Sequence, residues 1–163
     1  MADNTTDFVP CMIIPLQHHY LLLPNSTLAE VIPSPRLIKT DNTKPSYWIG
    51  QCDWNAQNIP IIDLEGLVEN KPSHTTDANK LCVLRGIYAS ANISIYGLPC
   101  YGVPQLIHLN ESALKLADNT ISSEYVHYQI QVGNKVAYIP NLDAIETTLS
   151  QQLNSTMGII ELG

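Results

Sequence analysis

Charged residues are scarce in this sequence. They make up 14% of its 163 residues, whereas a soluble domain usually carries about a quarter. Only eight are lysine or arginine, scattered along the chain, against 15 acidic residues, so the formal net charge is −7. Binding to nucleic acid or to an anionic membrane surface needs a clustered basic patch. The composition therefore predicts a protein that does not bind nucleic acid.

Long hydrophobic runs are missing as well. No apolar stretch approaches the roughly 18 residues that a membrane span requires. The first residues, MADNTTDFVP, carry acidic side chains where a secretory signal would carry basic ones. We therefore expect a cytoplasmic protein without direct membrane insertion. The length suits one domain, or two small subdomains that share a core.

Cysteine and histidine form no recognisable metal-binding or catalytic motif. The four cysteines lie far apart, without a C-x-x-C pair, at Cys11, Cys52, Cys82 and Cys100. Each is flanked by strand-like apolar residues, which predicts buried, reduced thiols. His18 and His19 are adjacent, so on a strand they point to opposite faces and cannot chelate one metal ion; one exposed and one half-buried histidine is expected. No metal, no cofactor and no enzymatic activity are predicted.

The first half of the chain has patterns typical of short strands. The stretch CMIIPLQHHYLLL, residues 11–23, predicts two strands or a bulged edge strand around Pro15. NSTLAEVI contains a capping box, Thr27 with Glu30, and predicts a short helix or turn. In WIGQCDWNAQNIPIIDL, residues 48–64, two strands flank a polar turn, and Asp63 is placed to cap the following turn LEGLVE. An acid/base pair of Asp63 with Glu65 is disfavoured, since Glu65 is expected in a solvated turn.

The second half begins after a polar linker, ENKPSHTTDANK, near residues 70–79. Three more strands are predicted, followed by a hairpin, EYVHYQIQVGNKVAYIP, whose turn is Gly133-Asn134. Asn141 caps an amphipathic helix over LDAIETTLSQQL, whose apolar stripe is expected to dock on the sheets. Residues 155–163 form a tail that could add an edge strand or be disordered.

Three segments in this order resemble the CheW family of chemotaxis coupling proteins, and within it the ChpC-like members associated with type IV pilus chemosensory systems. LAEVI resembles the family's V-x-E-V-I element. WIGQCDWNAQNIPIIDL resembles its G-x-x-N-x-R-G-x-x-x-P-x-x-D-L signature, with Gly50, Pro60, Asp63 and Leu64 in register. YGLPCYGVPQLIHL, with the later hairpin and helix, resembles its second-subdomain elements. The resemblance extends from about Tyr20 to Leu153.

The resemblance implies a mainly β, CheW-like fold: two SH3-like five-stranded β-barrel subdomains around a shared core, with a C-terminal amphipathic helix. The domain is then expected over residues 8–154. Subdomain 1 would occupy about 8–70, the linker about 70–79 and subdomain 2 about 80–154.

The resemblance also implies a non-enzymatic adaptor. It would couple a methyl-accepting chemoreceptor's cytoplasmic tip to the regulatory domain of a CheA-type histidine kinase, with another CheW-like protein as a further partner. The implied partner-binding residues are Leu28, Glu30, Gly50, Trp54, Asn55, Ala56, Leu98, Tyr101 and Val103. This sequence departs from the family where Asn55-Ala56 replaces Arg-Gly and Cys100-Tyr101 replaces Val-Asp, which favours a specialised adaptor. A rival hypothesis is a small metal-binding or enzymatic β-barrel protein whose fold assembles His and Cys.

Overall fold

The computed structural model describes residues 8–35, 45–70, 78–110, 115–117 and 122–162, with side chains from residue 9 to residue 153. Ten strands and two α-helices form this part of the chain. They are β1 (Phe8–Pro15), β2 (Tyr20–Pro24), β3 (Leu28–Pro33), β4 (Trp48–Trp54), β5 (Gln57–Ile62), α1 (Leu64–Glu69), β6 (Lys80–Arg85), β7 (Ile95–Cys100), β8 (Gln105–Asn110), β9 (Val126–Val132), β10 (Lys135–Pro140) and α2 (Leu142–Leu162).

The strands form two five-stranded sheets. Sheet 1 has the order β8-β1-β2-β10-β9, and sheet 2 has the order β3-β6-β7-β5-β4. Neighbouring strands are antiparallel except for two parallel pairs, β2 with β10 and β5 with β7. The predicted mainly β architecture, with two five-stranded sheets and a C-terminal helix, is confirmed.

The grouping of strands along the chain differs from the prediction. Each sheet takes strands from both sides of the predicted linker: sheet 1 contains β1 and β2 with β8, β9 and β10, and sheet 2 contains β3, β4 and β5 with β6 and β7. Sheet 1 is joined across the linker by β1 with β8 and by β2 with β10, and sheet 2 by β3 with β6 and by β5 with β7. Most of the predicted linker, residues 71–77, lies outside the described residues.

Both sheets bury apolar side chains on both faces. On β6, Cys82 and Leu84 enter a large inner core with residues of both sheets and both helices, while Leu81 and Val83 enter a cluster confined to sheet 2. This alternation is what the two-residue period of a strand dictates. A third cluster, which includes Cys11, belongs to sheet 1. All four cysteines are buried and free, as predicted.

Two local predictions were wrong. NSTLAEVI is a short 3-10 turn followed by β3, because pairing with β6, such as Val31 with Cys82, overrides the capping-box pattern. Arg85 stabilises the start of β3: its Nη1 donates hydrogen bonds to the carbonyl oxygens of Ser26 and Leu28, at 2.8 and 2.9 Å. At the other end of the chain, α2 continues to Leu162, so residues 155–162 extend the helix rather than form an edge strand.

The last hairpin and the start of α2 agree with the sequence. Gly133 takes a φ of +61° between β9 and β10, and Asn141 Oδ1 accepts a hydrogen bond from the amide of Ala144 at 3.2 Å. The apolar stripe of α2, which includes Ile145 and Leu149, lies in the inner core. This helix therefore docks on the sheets, as predicted.

Candidate functional site

The polar turn between β4 and β5 is a two-residue hairpin loop. Trp54 pairs with Gln57 across the hairpin, which leaves Asn55 and Ala56 as the loop. Both have positive φ, +48° and +62°, the pattern of a type I′ turn, which matches the twist of the flanking strands. Asn tolerates this conformation, whereas alanine adopts it at a cost. The two exposed side chains therefore stand at a fixed tip of sheet 2, and we call residues 53–58 the knuckle.

We expect Ala56→Gly to raise the free energy of unfolding by about 1 kcal/mol, because glycine lacks the Cβ that disfavours a positive φ. The matched control is Gly133→Ala, which makes the opposite exchange at a φ of +61° where an added Cβ would meet nothing within 4 Å. It should lower stability by a similar amount. Urea unfolding measures the free energy of unfolding of both variants. If both substitutions raise it, or both lower it, the positive φ of Ala56 does not cost stability as described.

A hydrogen bond joins the knuckle to the opposite edge of sheet 2. Trp54 Nε1 donates to Glu30 Oε1 at 2.8 Å. Glu30 lies on β3 and Trp54 on β4, the two edge strands of the sheet. The sheet must therefore curl until its edges meet, as a small barrel does. The indole also packs on the apolar cluster of sheet 2 and is half-buried, while Glu30 is exposed.

The other predicted contact residues are not all on the surface. Gly50 is buried, and Leu98 is only 2% exposed in the inner core. Neither can offer a side chain or surface to a partner in this fold, which corrects their assignment. Leu28 is half-buried against the same inner core.

Tyr101 and Val103 lie in the connection between β7 and β8. Tyr101 is half-buried, and its amide donates to the carbonyl oxygen of Pro15 at 2.9 Å. Val103 is 66% exposed and lines a depression of about 310 Å³ on sheet 1, together with side chains such as Ile13 and Tyr20. Eight of the predicted residues thus fall into a knuckle surface on sheet 2 (Glu30, Trp54, Asn55 and Ala56), a second patch on sheet 1 (Tyr101 and Val103) and a buried pair (Gly50 and Leu98), and Leu28 lies apart from all three.

Glu65 was predicted in a solvated turn, but it is buried. Its carboxylate accepts hydrogen bonds from the amides of Gln17 and His18 and from His19 Nδ1, the last at 2.7 Å. It therefore holds the β1–β2 turn against α1 and is unavailable as a general base. His18 is exposed and His19 half-buried, as predicted.

The ring of His19 stacks on Tyr138, with centroids 4.6 Å apart. Its Nε2 lies 3.2 Å from the hydroxyl of that tyrosine. Burial, with Glu69 and Glu65 nearby, raises the pKa of Tyr138 above its usual value. His19, Tyr138 and Glu65 thus join sheet 1 to α1, and their contacts stabilise the fold.

Glu146 is a second buried carboxylate, which the sequence analysis did not identify. Its side chain is fully buried on α2. It accepts hydrogen bonds from the amides of Ile87 and Tyr88 at 3.0 and 2.9 Å, and from the Tyr96 hydroxyl at 3.2 Å. Burial first, and then the negative charge of Glu146, raise the pKa of Tyr96 well above its usual value. Glu146 thereby fixes the β6–β7 loop to the helix.

An apolar groove of about 520 Å³ lies on sheet 1. It is lined by side chains that include Cys11, Leu22 and Ile130, with the exposed Leu116 and Tyr128 at its mouth. No sequence pattern indicated this groove, because its walls come from strands that are distant along the chain.

Within the part of the chain that the structure describes, no three His, Cys, Asp or Glu side chains are grouped so that they could hold a metal ion. No helix among the described residues has the length and apolar character needed to cross a bilayer.

Comparison with known proteins identifies the family. The model of the CheW-like domain matches residues 10–149. The crystal structure of the scaffolding protein TtCheW from Thermoanaerobacter tengcongensis has a similar fold, with a TM-score of 0.65 and 16% sequence identity, over 87% of this chain and 90% of that one. No curated protein matches the sequence significantly. Since the family model spans most of the chain, this protein belongs to the CheW-like domain family.

Proposed function

We propose that this protein is a non-enzymatic cytoplasmic adaptor. It couples the cytoplasmic tip of a methyl-accepting chemoreceptor to the regulatory domain of a CheA-type histidine kinase, with another CheW-like protein as a further partner. The system that it serves controls type IV pilus twitching motility. Membership of the CheW-like family supports the adaptor role, and the ordered LAEVI, WIGQCDWNAQNIPIIDL and YGLPCYGVPQLIHL segments support the more specific assignment.

The observation that carries the proposal is the knuckle surface. Its tip residues, Asn55 and Ala56, are exposed and form a tight two-residue turn, and the Trp54–Glu30 hydrogen bond ties the strand end beneath them to β3. A rigid, exposed tip loses little conformational entropy when a partner binds. We assign the partner contact to Glu30, Trp54, Asn55 and Ala56.

A second contact is assigned to the patch around Val103 and Tyr101. It lies on sheet 1, whereas the knuckle lies on sheet 2. Two separate surfaces are what a protein needs if it is to bind two partners at once. Each contact is expected to be modest, because transient signalling interfaces often bury less than about 1,200 Å².

Asn55→Asp tests the knuckle contact. Aspartate tolerates a positive φ almost as well as asparagine, so the fold is retained while a charge is added at the tip. We expect the affinity for the regulatory domain of the cognate kinase to rise about tenfold, or about 1.4 kcal/mol, because a further negative charge beside Glu30 and Asp53 strengthens the attraction of a positively charged partner surface. Isothermal titration calorimetry measures the change.

The matched control is Asn92→Asp, at another exposed asparagine with positive φ, +57°, in the β6–β7 loop. This variant should bind as the wild type does. Equal affinities for all three proteins would remove the knuckle from the interface, and a wild type that binds neither kinase, receptor tip nor coupling protein would overturn the adaptor function.

The twitching assignment has its own test. Deletion of the gene in its native host should reduce the diameter of the twitching zone beneath agar, and expression of the protein in trans should restore it. Normal twitching together with defective swimming chemotaxis would keep the adaptor role but reject the type IV pilus system.

A further inference from the structure

The Trp54–Glu30 pair combines two groups that together suit one kind of cation. Glu30 Oε1 accepts the indole N–H at 2.8 Å, so the carboxylate lies at the edge of the ring and its second oxygen stays available as an acceptor. Glu30 forms no salt bridge with any described residue. Arg85, on the strand that pairs with β3, instead directs Nη1 to the carbonyl oxygens of Ser26 and Leu28.

The indole supplies the other half of the site. Trp54 is half-buried: part of the ring packs on the apolar cluster of sheet 2, and the remainder is exposed to solvent. The face of a tryptophan ring attracts cations, and tryptophan is the best aromatic residue for this purpose. Because an N–H group lies in the plane of its ring, a planar cation above the exposed face can also reach the carboxylate at the ring's edge.

We infer that this pair is a binding site for an arginine side chain carried by the partner protein. The inference rests on the proposed adaptor function, since it gives the chemistry of the partner at the same surface. A guanidinium group is flat, stacks on aromatic rings and donates several hydrogen bonds in a fixed fork, whereas a lysine ammonium group is a compact and strongly hydrated point charge. A ring face beside a carboxylate therefore selects arginine over lysine.

The charge around the site agrees with this ligand. Asp53, next to Trp54 on β4, is also exposed, and the residues of the turn itself are neutral. The whole chain carries a formal net charge of −7. A positively charged partner surface is thus attracted to the knuckle, and the association should weaken as the salt concentration rises.

The site can be tested directly with small cations, without the partner. The protein labelled with nitrogen-15 is titrated with ethylguanidinium chloride, and the Trp54 indole N–H resonance is followed by NMR. We expect a saturating shift with ethylguanidinium and a several-fold smaller one with ethylammonium chloride or sodium chloride at equal concentration. The indole of Trp48, which is 5% exposed, is the internal reference and should not move.

Glu30→Gln separates charge from hydrogen bonding. Glutamine keeps an oxygen that accepts the indole N–H, so the hairpin remains fixed, but the negative charge is lost. We expect apparent ethylguanidinium affinity to fall about tenfold, and Trp54→Leu to abolish the response to ethylguanidinium in the backbone amides of the knuckle. Equal shifts with both organic cations, or an unchanged titration in Glu30→Gln, would overturn the arginine site.

The same variant distinguishes this inference from the adaptor function. Glu30→Gln should bind the cognate kinase regulatory domain about tenfold more weakly than the wild type, with a smaller dependence on salt. Wild-type binding that is unchanged in Glu30→Gln would reject the arginine site and keep the adaptor. Absence of any partner binding by the wild type would reject the adaptor, while the small-cation titration would still decide whether the pair recognises guanidinium.

Discussion

Replacing Glu146 with glutamine should lower the free energy of unfolding by about 3 kcal/mol, because hydrogen bonds to a buried charged group are strong and their donors are costly to leave unpaired. The carboxylate accepts from the amides of Ile87 and Tyr88 and from the hydroxyl of Tyr96. Glutamine is neutral and has one acceptor oxygen, so the amides of Ile87 and Tyr88 lose a charged acceptor and the Ile87 amide loses one of the two oxygens it faces. The attachment of the β6–β7 loop to α2 would then be weaker.

Urea unfolding followed by circular dichroism measures this loss. The matched control is Asp143→Asn, the same exchange of carboxylate for amide one turn earlier on α2, at an exposed side chain. It should cost only about 0.5 kcal/mol, through the weaker interaction with the helix dipole. If the two variants are equally stable, Glu146 does not anchor the loop as described.

Leu98→Ala should lower the free energy of unfolding by about 3 kcal/mol, since removing a buried leucine side chain leaves a cavity in a packed core. Leu98 is 2% exposed and lies in the inner core between the sheets. The resemblance to the CheW family had implied a partner contact at this residue. The structure instead predicts that the folded fraction of this variant binds partners with wild-type affinity.

Leu106→Ala is the control for this prediction, because Leu106 lies on β8 with 52% of its surface exposed. Its stability should change by no more than about 0.5 kcal/mol. Thermal unfolding and titration calorimetry below the melting temperature report stability and binding separately. A Leu98→Ala variant with normal stability and weakened binding would show that Leu98 contacts the partner.

Local sequence patterns predicted most of the strands and the C-terminal helix, but they did not predict which strands pair with each other. The β9–β10 hairpin followed from alternation around Gly133-Asn134, and α2 from the spacing of its apolar residues. The pairing of Ala137 with Tyr20 joins residues from opposite ends of the chain, and no short-range pattern encodes it. A different long-range pairing, that of β3 with β6, overrode the local signal at Glu30, where a strand forms in place of the predicted helix or turn.

The sequence identified several residues of the candidate site but not the contacts between them. The knuckle and Glu30 were both identified from sequence, but their contact depends on the curl of sheet 2 and needed the structure. Glu146 had a usable signal: it lies four residues after Leu142 and three before Leu149, on the apolar stripe of α2. A carboxylate at such a position predicts a buried acceptor. Glu65 had no comparable signal, because its donors come from the distant β1–β2 turn.

We propose that one molecule of this protein connects a receptor to a kinase through separate surfaces. Size-exclusion chromatography with light scattering, on a mixture of this protein, the cognate kinase regulatory domain and the cognate receptor tip, tests it most directly. We expect a complex that contains all three proteins and loses the kinase domain when Trp54 is replaced by leucine. Pairwise complexes that exclude each other, or no complex at all, would contradict it.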